Sequence, residues 1–188
     1  MIEFDESHVS NRELPKIIRV KYLNNNLPCL KYNPKGDWID VYASKDIFIN
    51  HNESANIPLG FAMELPKGYE AHLVPRSSTF KTWGLIQTNS PGIIDNSYCG
   101  DNDEWSMPVF CLEPKDIIYL RRQSLSDRVI RYFDSDRDPY VIKKGTKIKE
   151  GDKIAQFRIV KSMPTVEFEL AAFLGNPDRS GFGSTGTR

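Results

Sequence analysis

Phe61-Ala62-Met63-Glu64-Leu65, the break Pro66-Lys67-Gly68, and Glu70-Ala71-His72-Leu73-Val74 set the pattern of the whole chain. Two short, largely apolar runs flank a cluster of residues that chains use to change direction. The same texture recurs at 17–22, 39–43, 107–112, 117–120 and 153–160. Further breaks stand at Asn24-Asn25-Asn26, Pro34-Lys35-Gly36 and Glu150-Gly151-Asp152. Many short strands at this spacing predict an all-β chain, a jelly-roll-like barrel or sandwich, rather than alternating βαβ units. Little helix is expected, and one helical piece is predicted at 76–83.

A chain of 188 residues suits one well-buried domain. Lys plus Arg and Asp plus Glu balance at 25 each, so the formal charge is zero. That balance argues against a nucleic acid polymer as partner, because gripping one takes a basic excess. A small anion needs only a local basic pocket. Cys29, Cys99 and Cys111 are odd in number and lack CxxC spacing, which points to reduced thiols and a cytoplasmic setting. Residues 1–16 show no signal-peptide pattern, and no apolar run approaches the ~18 residues a membrane span needs. No membrane association is expected.

Two segments stand apart from a body at 1–174. Residues 121–140 carry nine charged side chains, including Asp134-Ser135-Asp136-Arg137-Asp138. That spacing fails as a calcium loop, since Pro139 and Gly145 stand where glycine and a bidentate glutamate are required. It reads as a solvated excursion between strands. The tail, 175–188, holds four glycines and one large apolar residue, Phe182, and is expected to be flexible. A frayed terminus is the plain reading. The other is a flap, with Phe182 covering a ring while Gly181 and Gly183 let backbone N–H groups approach phosphate.

No GxxxxGK[ST] or GxSxG occurs, and His8, His51 and His72 lack zinc-site spacing. What remains is carboxylates, hydroxyls and arginine near strand ends. Asp40 is an acid inside a strand, which is costly without a partner. Pro75-Arg76-Ser77-Ser78-Thr79 offers a guanidinium and hydroxyls at a helix start, a ready anion site. Gly92-Ile93-Ile94-Asp95-Asn96-Ser97-Tyr98-Cys99-Gly100 reads as a β-hairpin turning at Asn96-Ser97. It is either a solvated turn with a packed Tyr or a recognition hairpin. In the second case backbone groups read a base edge, Tyr98 packs on a sugar and Asp95 orients a water.

Five segments, in order, resemble the five motifs of the trimeric dUTP pyrophosphatases: 37–44, 75–80, 92–100, 151–157 and 179–186. The resemblance extends from about residue 17 to the end of the sequence. It implies a homotrimer with shared active sites that hydrolyses dUTP to dUMP and pyrophosphate by water attack on the α-phosphate. Such a reaction limits uracil incorporation into DNA and supplies dUMP for dTMP synthesis. By this resemblance Asp40 binds Mg2+ through water, and Arg76, Ser77, Ser78 and Gln156 hold the triphosphate. Asn89 and the segment carrying Gly92, Ile94 and Tyr98 receive the deoxyuridine, with Asp95 activating the water. A neighbour's tail then closes, with Phe182 over uracil and Arg179, Gly183, Ser184, Thr185 and Gly186 over the phosphates.

Three departures from the family pattern stand out. Asp37-Trp38 replaces the usual Ala-Gly, Cys99 and Asp101 replace Arg and Glu or Gln, and Arg179 lies closer than usual to Phe182. Two rival readings remain. A dCTP deaminase of the same fold would need an acid such as Asp101 or Glu104. A nucleotide-dependent binder of another protein would use 121–140 as its surface.

Overall fold

In a computed structural model of the chain, the structure describes residues 17–32, 34, 36–121 and 140–178. Among these residues, twelve strands and one short helix are the regular elements. They run β1 (Arg19–Tyr22), β2 (Ile39–Tyr42), β3 (Ile47–Asn50), β4 (Ser54–Pro58), β5 (Phe61–Glu64), β6 (Tyr69–Pro75) and α1 (Thr79–Trp83). Then follow β7 (Leu85–Gln87), β8 (Gly92–Ile94), β9 (Ser106–Cys111), β10 (Asp116–Arg121), β11 (Tyr140–Ile148) and β12 (Lys153–Lys161). All pairings are antiparallel, in the orders β1-β5, β10-β11-β3, β2-β12-β6-β8 and β4-β9-β7. The all-β expectation is met.

The core explains why these runs become strands. Strand β9 alternates in burial, with Met107, Val109 and Cys111 inward, and β5 buries Phe61, Ala62 and Met63 together. Trp105 and Phe157 meet edge-on with ring centroids 5.2 Å apart, and Phe61 lies 5.1 Å from Trp105. Edge-on and tilted contacts suit the ring quadrupoles, and such pairs add about 0.5–1.5 kcal/mol beyond burial. The same three rings tie β5 and β12 to the residue just before β9.

Two local expectations need correcting. The helix is α1 alone, five residues long, so Arg76 and Ser77 lie in the turn before it. It stops at Gly84, whose φ of 64° closes the last turn and whose missing side chain leaves room for the Glu113 carbonyl. The expected hairpin at 92–100 is not one either. Strand β8 pairs with β6 (Leu73↔Gly92, Ala71↔Ile94), and from Asp95 the chain enters turns. Asp95 Oδ1 accepts from Ser97 N, and Gly100 N donates to Asp103 Oδ2, so side chains hold a loop where a second arm was expected.

Arg121 of β10 pairs with Tyr140 of β11. The chain therefore leaves and returns between adjacent antiparallel strands. Its interior, 122–139, lies outside the described residues, as do 1–16 and the tail positions Arg179, Phe182, Gly183, Ser184, Thr185 and Gly186. After β12, residues 162–178 form no strand or helix, and Phe168, Leu170, Phe173 and Leu174 are almost wholly exposed. No helix among the described residues is long and apolar enough to cross a membrane.

Candidate active site

The four-stranded sheet carries one half of the candidate site at each edge. At one edge, Asp40 of β2 stands opposite Gln156 of β12, which in turn faces Val74 of β6. Asp40, Arg76, Lys153 and Gln156 line a cavity of about 500 Å³, with Trp38 and Tyr42 as aromatic walls. Asp40 Oδ1 lies 2.9 Å from Arg76 Nε and Oδ2 lies 3.1 Å from Lys153 Nζ. This pairing meets the cost expected for an acid in a strand. The guanidinium of Arg158 sits 5.2 Å from the Trp38 ring, so the residue that replaces a small one in the family pattern is itself held in place.

Local geometry aims the cations. The register of β12 against β2 shifts between Lys153 and Ala155, turning Lys153 toward Asp40. The Thr79 hydroxyl is fully buried, accepts from Arg76 N at 3.0 Å and donates to Ile154 O at 2.9 Å. One side chain thus ties the Arg76 turn to the irregularity in β12. Ser78 occupies the N-cap position without a side-chain capping bond, and Ser77 is exposed. Both hydroxyls are available to a ligand.

At the other edge, Ile94, Asp95, Ser97, Tyr98, Glu104 and Trp105 line a second cavity of about 340 Å³. Asp95 Oδ1 accepts from Ser97 Oγ at 2.5 Å and Ser97 N at 2.7 Å. These bonds, the hydroxyl's first, hold the Asp95 pKa below its ordinary value. The Tyr98 backbone N–H adds to them, and Asp95 lines the cavity. Tyr98 donates its hydroxyl to Glu104 O at 3.2 Å. Gly92, which opens β8, and Asn89, two residues past β7, do not line this cavity but lie beside each other, since a Cβ on Gly92 would come within 3.3 Å of Asn89 Nδ2.

The acids named for a deaminase are otherwise engaged. Glu104 Oε1 accepts from Gly60 N at 2.8 Å, bracing the β4–β5 turn, and Asp101 faces Lys21 at 3.6 Å. Among the described residues no group of three potential ligands could hold a metal by itself. Asp40 is a single carboxylate, which fits Mg2+ that arrives with phosphates and keeps several waters. Sequence reading missed Lys153, although it lies inside the Gly-Asp-Lys-Ile-Ala-Gln run; only the register shift gives it a role.

The dUTPase family model matches residues 26–120. The chain is also 46% identical over 171 residues to the SPbeta prophage-derived deoxyuridine 5'-triphosphate nucleotidohydrolase YosS of Bacillus subtilis (strain 168), covering 91% of this chain and 99% of that protein. This chain belongs to the dUTPase family. A second dUTPase relative, the deoxyuridine 5'-triphosphate nucleotidohydrolase of Thermobifida fusca (strain YX), is 27% identical, over 90% of this chain and 78% of that one. Among solved structures, a Staphylococcus bacteriophage 80alpha dUTPase mutant with dUpNHpp superposes with a TM-score of 0.67 at 22% identity, covering 92% of this chain and 99% of that one. A mutant dUTPase from phage phi11 of S. aureus, described as coordinating a structural Mg(II) ion, gives 0.62 at 22% identity, over 85% and 99% of the two chains. These likenesses place the jelly-roll-like body of the dUTPase fold over nearly the whole chain.

Proposed function

We propose that this dUTPase hydrolyses dUTP to dUMP and pyrophosphate in sites assembled between copies of the chain, by water attack on the α-phosphate. Identity of 46% over nearly the full length of a named dUTP nucleotidohydrolase supports the reaction. One geometric observation carries the assembly. The Asp40 cavity and the Asp95 cavity share no lining residue and lie at opposite edges of one sheet. Three strand spacings separate those edges, about 14 Å at roughly 4.8 Å each, before the further step from β8 to Asp95. A second copy brings a base half against a phosphate half. The exposed apolar side chains at 162–174 supply surface for such contact.

The division of labour follows from residue chemistry. Arg76, Ser77, Ser78 and Gln156 hold the triphosphate, with Lys153 joining them. Asp40 would hold Mg2+ through water, and the bound ion neutralises the phosphate charge that repels an attacking water. Asp95 orients that water and takes its proton, a step worth roughly 10²–10⁴-fold by the usual range. Asn89, Gly92 and Ile94 receive the uracil, and Tyr98 lies under the deoxyribose, where a 2′-hydroxyl has no room. The tail, with Arg179, Phe182, Gly183, Ser184 and Thr185, closes over the bound nucleotide, excludes bulk water and pre-orients the groups.

Pyrophosphate release from dUTP, dTTP, dCTP and UTP, with and without Mg2+ and paired with a solution mass, tests the proposal. Expected are a trimer's mass and turnover confined to dUTP with Mg2+. Comparable rates on all four nucleotides, or full activity from a stable monomer, would overturn it.

A second reading concerns partners. Staphylococcus bacteriophage 80alpha dUTPase is described as controlling transfer of virulence genes by a proto-oncogenic G protein-like mechanism. A regulatory protein partner for this chain would be read through 121–140. A pull-down with and without nucleotide, comparing the chain with a form lacking that segment, decides it.

A further inference from the structure

Strand β7 reverses the usual order of a half-buried strand, with Ile86 exposed and Gln87 buried. Gln87 Nε2 donates to the Leu73 backbone carbonyl at 3.1 Å and to Asn89 Oδ1 at 2.8 Å. Its own Oε1 is buried without a hydrogen-bond partner among the described residues. Leaving a buried acceptor unpaired has a clear energetic cost, which an apolar side chain here would avoid. An amide retained under that cost calls for a reason other than packing.

The two bonds leave one arrangement. Leu73 O can only accept, so the Gln87 amide must turn its NH₂ group inward. The second hydrogen of that NH₂ reaches Asn89, which must then present its oxygen. Asn89 Nδ2 is left as the outer end of an exposed side chain, with no hydrogen bond among the described residues. Gly92 backs the pair: a Cβ there would come within 3.1 Å of Gln87 Nε2 and 3.3 Å of Asn89 Nδ2. The strand that leads into Asp95 is therefore packed against the two amides.

We propose that Gln87 is a positioning residue that sets base specificity, by locking Asn89 with Nδ2 as a donor facing the pyrimidine. A donor at that place donates to the 4-carbonyl of uracil and opposes the 4-amino group of cytosine. A site built around such a bond rejects the wrong partner far better than shape alone. This inference rests on Asn89 and 92–98 forming the base half of the site.

The test compares Gln87→Met, Asn89→Ala and the double variant, measuring kcat/KM for pyrophosphate release from dUTP and from dCTP. Methionine keeps the length and removes both bonds. The dUTP-to-dCTP ratio should fall about 10-fold or more in Gln87→Met, the equivalent of one lost hydrogen bond, mainly through a higher KM for dUTP. The double variant should be no less selective than Asn89→Ala. An unchanged ratio in Gln87→Met beside a collapsed ratio in Asn89→Ala overturns the relay while the base half stands. An unchanged ratio in Asn89→Ala overturns the base half itself. A measurement on the unaltered protein covers the case in which Gln87→Met does not fold. There the Asn89 side-chain amide resonance should shift with dUMP and stay put with dCMP at equal concentration, and equal response to both overturns the proposal.

Discussion

Lys153 Nζ stands 3.1 Å from Asp40 Oδ2, so the carboxylate of the Asp40 cavity is already shared between β2 and β12. Arg76 holds its other oxygen. Two cations thus gather at one acid before any nucleotide arrives, and phosphates can recruit both. Asp40→Asn should lower pyrophosphate release at least ~10-fold and raise the Mg2+ concentration for half-maximal rate, because a neutral amide orders Mg2+ waters poorly. A Mg2+ titration of dUTP turnover reads this directly. An unaltered Mg2+ curve would leave Asp40 with a structural role only.

Asp95→Asn should bind dUTP and hydrolyse it at least ~10²-fold more slowly. Equilibrium binding of a non-hydrolysable dUTP analogue, set beside single-turnover rates, separates the two effects. Near-normal turnover would take the proton-accepting role away from Asp95.

Ser97 sets the acidity of Asp95 through two hydrogen bonds. The folded pKa is lowered, so any stability from these bonds is present above the unfolded pKa and is lost as pH falls through the folded one. Ser97→Ala removes the first-ranked cause and should move the Asp95 titration upward, toward the ordinary carboxylate value. Carbon-13 titration of the Asp95 carboxyl in both proteins checks the direction. Coincident curves would mean the hydroxyl bond does not govern this group.

Thr79→Val keeps the shape of the side chain and removes its hydroxyl. Arg76 N and Ile154 O would lose their buried partner, which should cost about 1–3 kcal/mol of stability. Thermal or denaturant unfolding measures it. Because the same hydroxyl joins the Arg76 turn to the β12 irregularity, KM for dUTP should rise as well. A destabilised protein with unchanged KM would confine Thr79 to the core.

Truncation before Arg179 should leave the body folded, with the same number of chains per assembly and poor activity. Sedimentation and pyrophosphate assays on the truncated form decide it. Full activity would return the tail to a frayed end.

Strands whose core residues are plain to read, such as β5, β6 and β12, fall within a residue or two of where their composition places them. Short strands that invert the pattern do not. Strand β7 turns Ile86 out and Gln87 in, so no alternation marks it, and β11 hides behind Lys143-Lys144-Gly145 although it pairs on both sides. The 92–100 segment misleads for a related reason. Its turn residues are local signals, whereas the partner of β8 is β6, some twenty residues earlier in the chain. The site shows the same divide. Asp40, Arg76, Asp95 and Gln156 belong to recognisable runs, but Lys153 and Gln87 acquire roles only from a register shift and a packed amide pair.

The Arg121↔Tyr140 rung has a consequence for how this protein can vary. Two strands already zipped together bring the ends of 122–139 side by side, so chain closure there is settled by the scaffold. Doubling the length of a closed segment costs only about 0.6 kcal/mol more. Evolution can therefore rewrite, lengthen or delete that stretch almost independently of the enzyme beneath it, and an engineer can graft a foreign sequence at the same place.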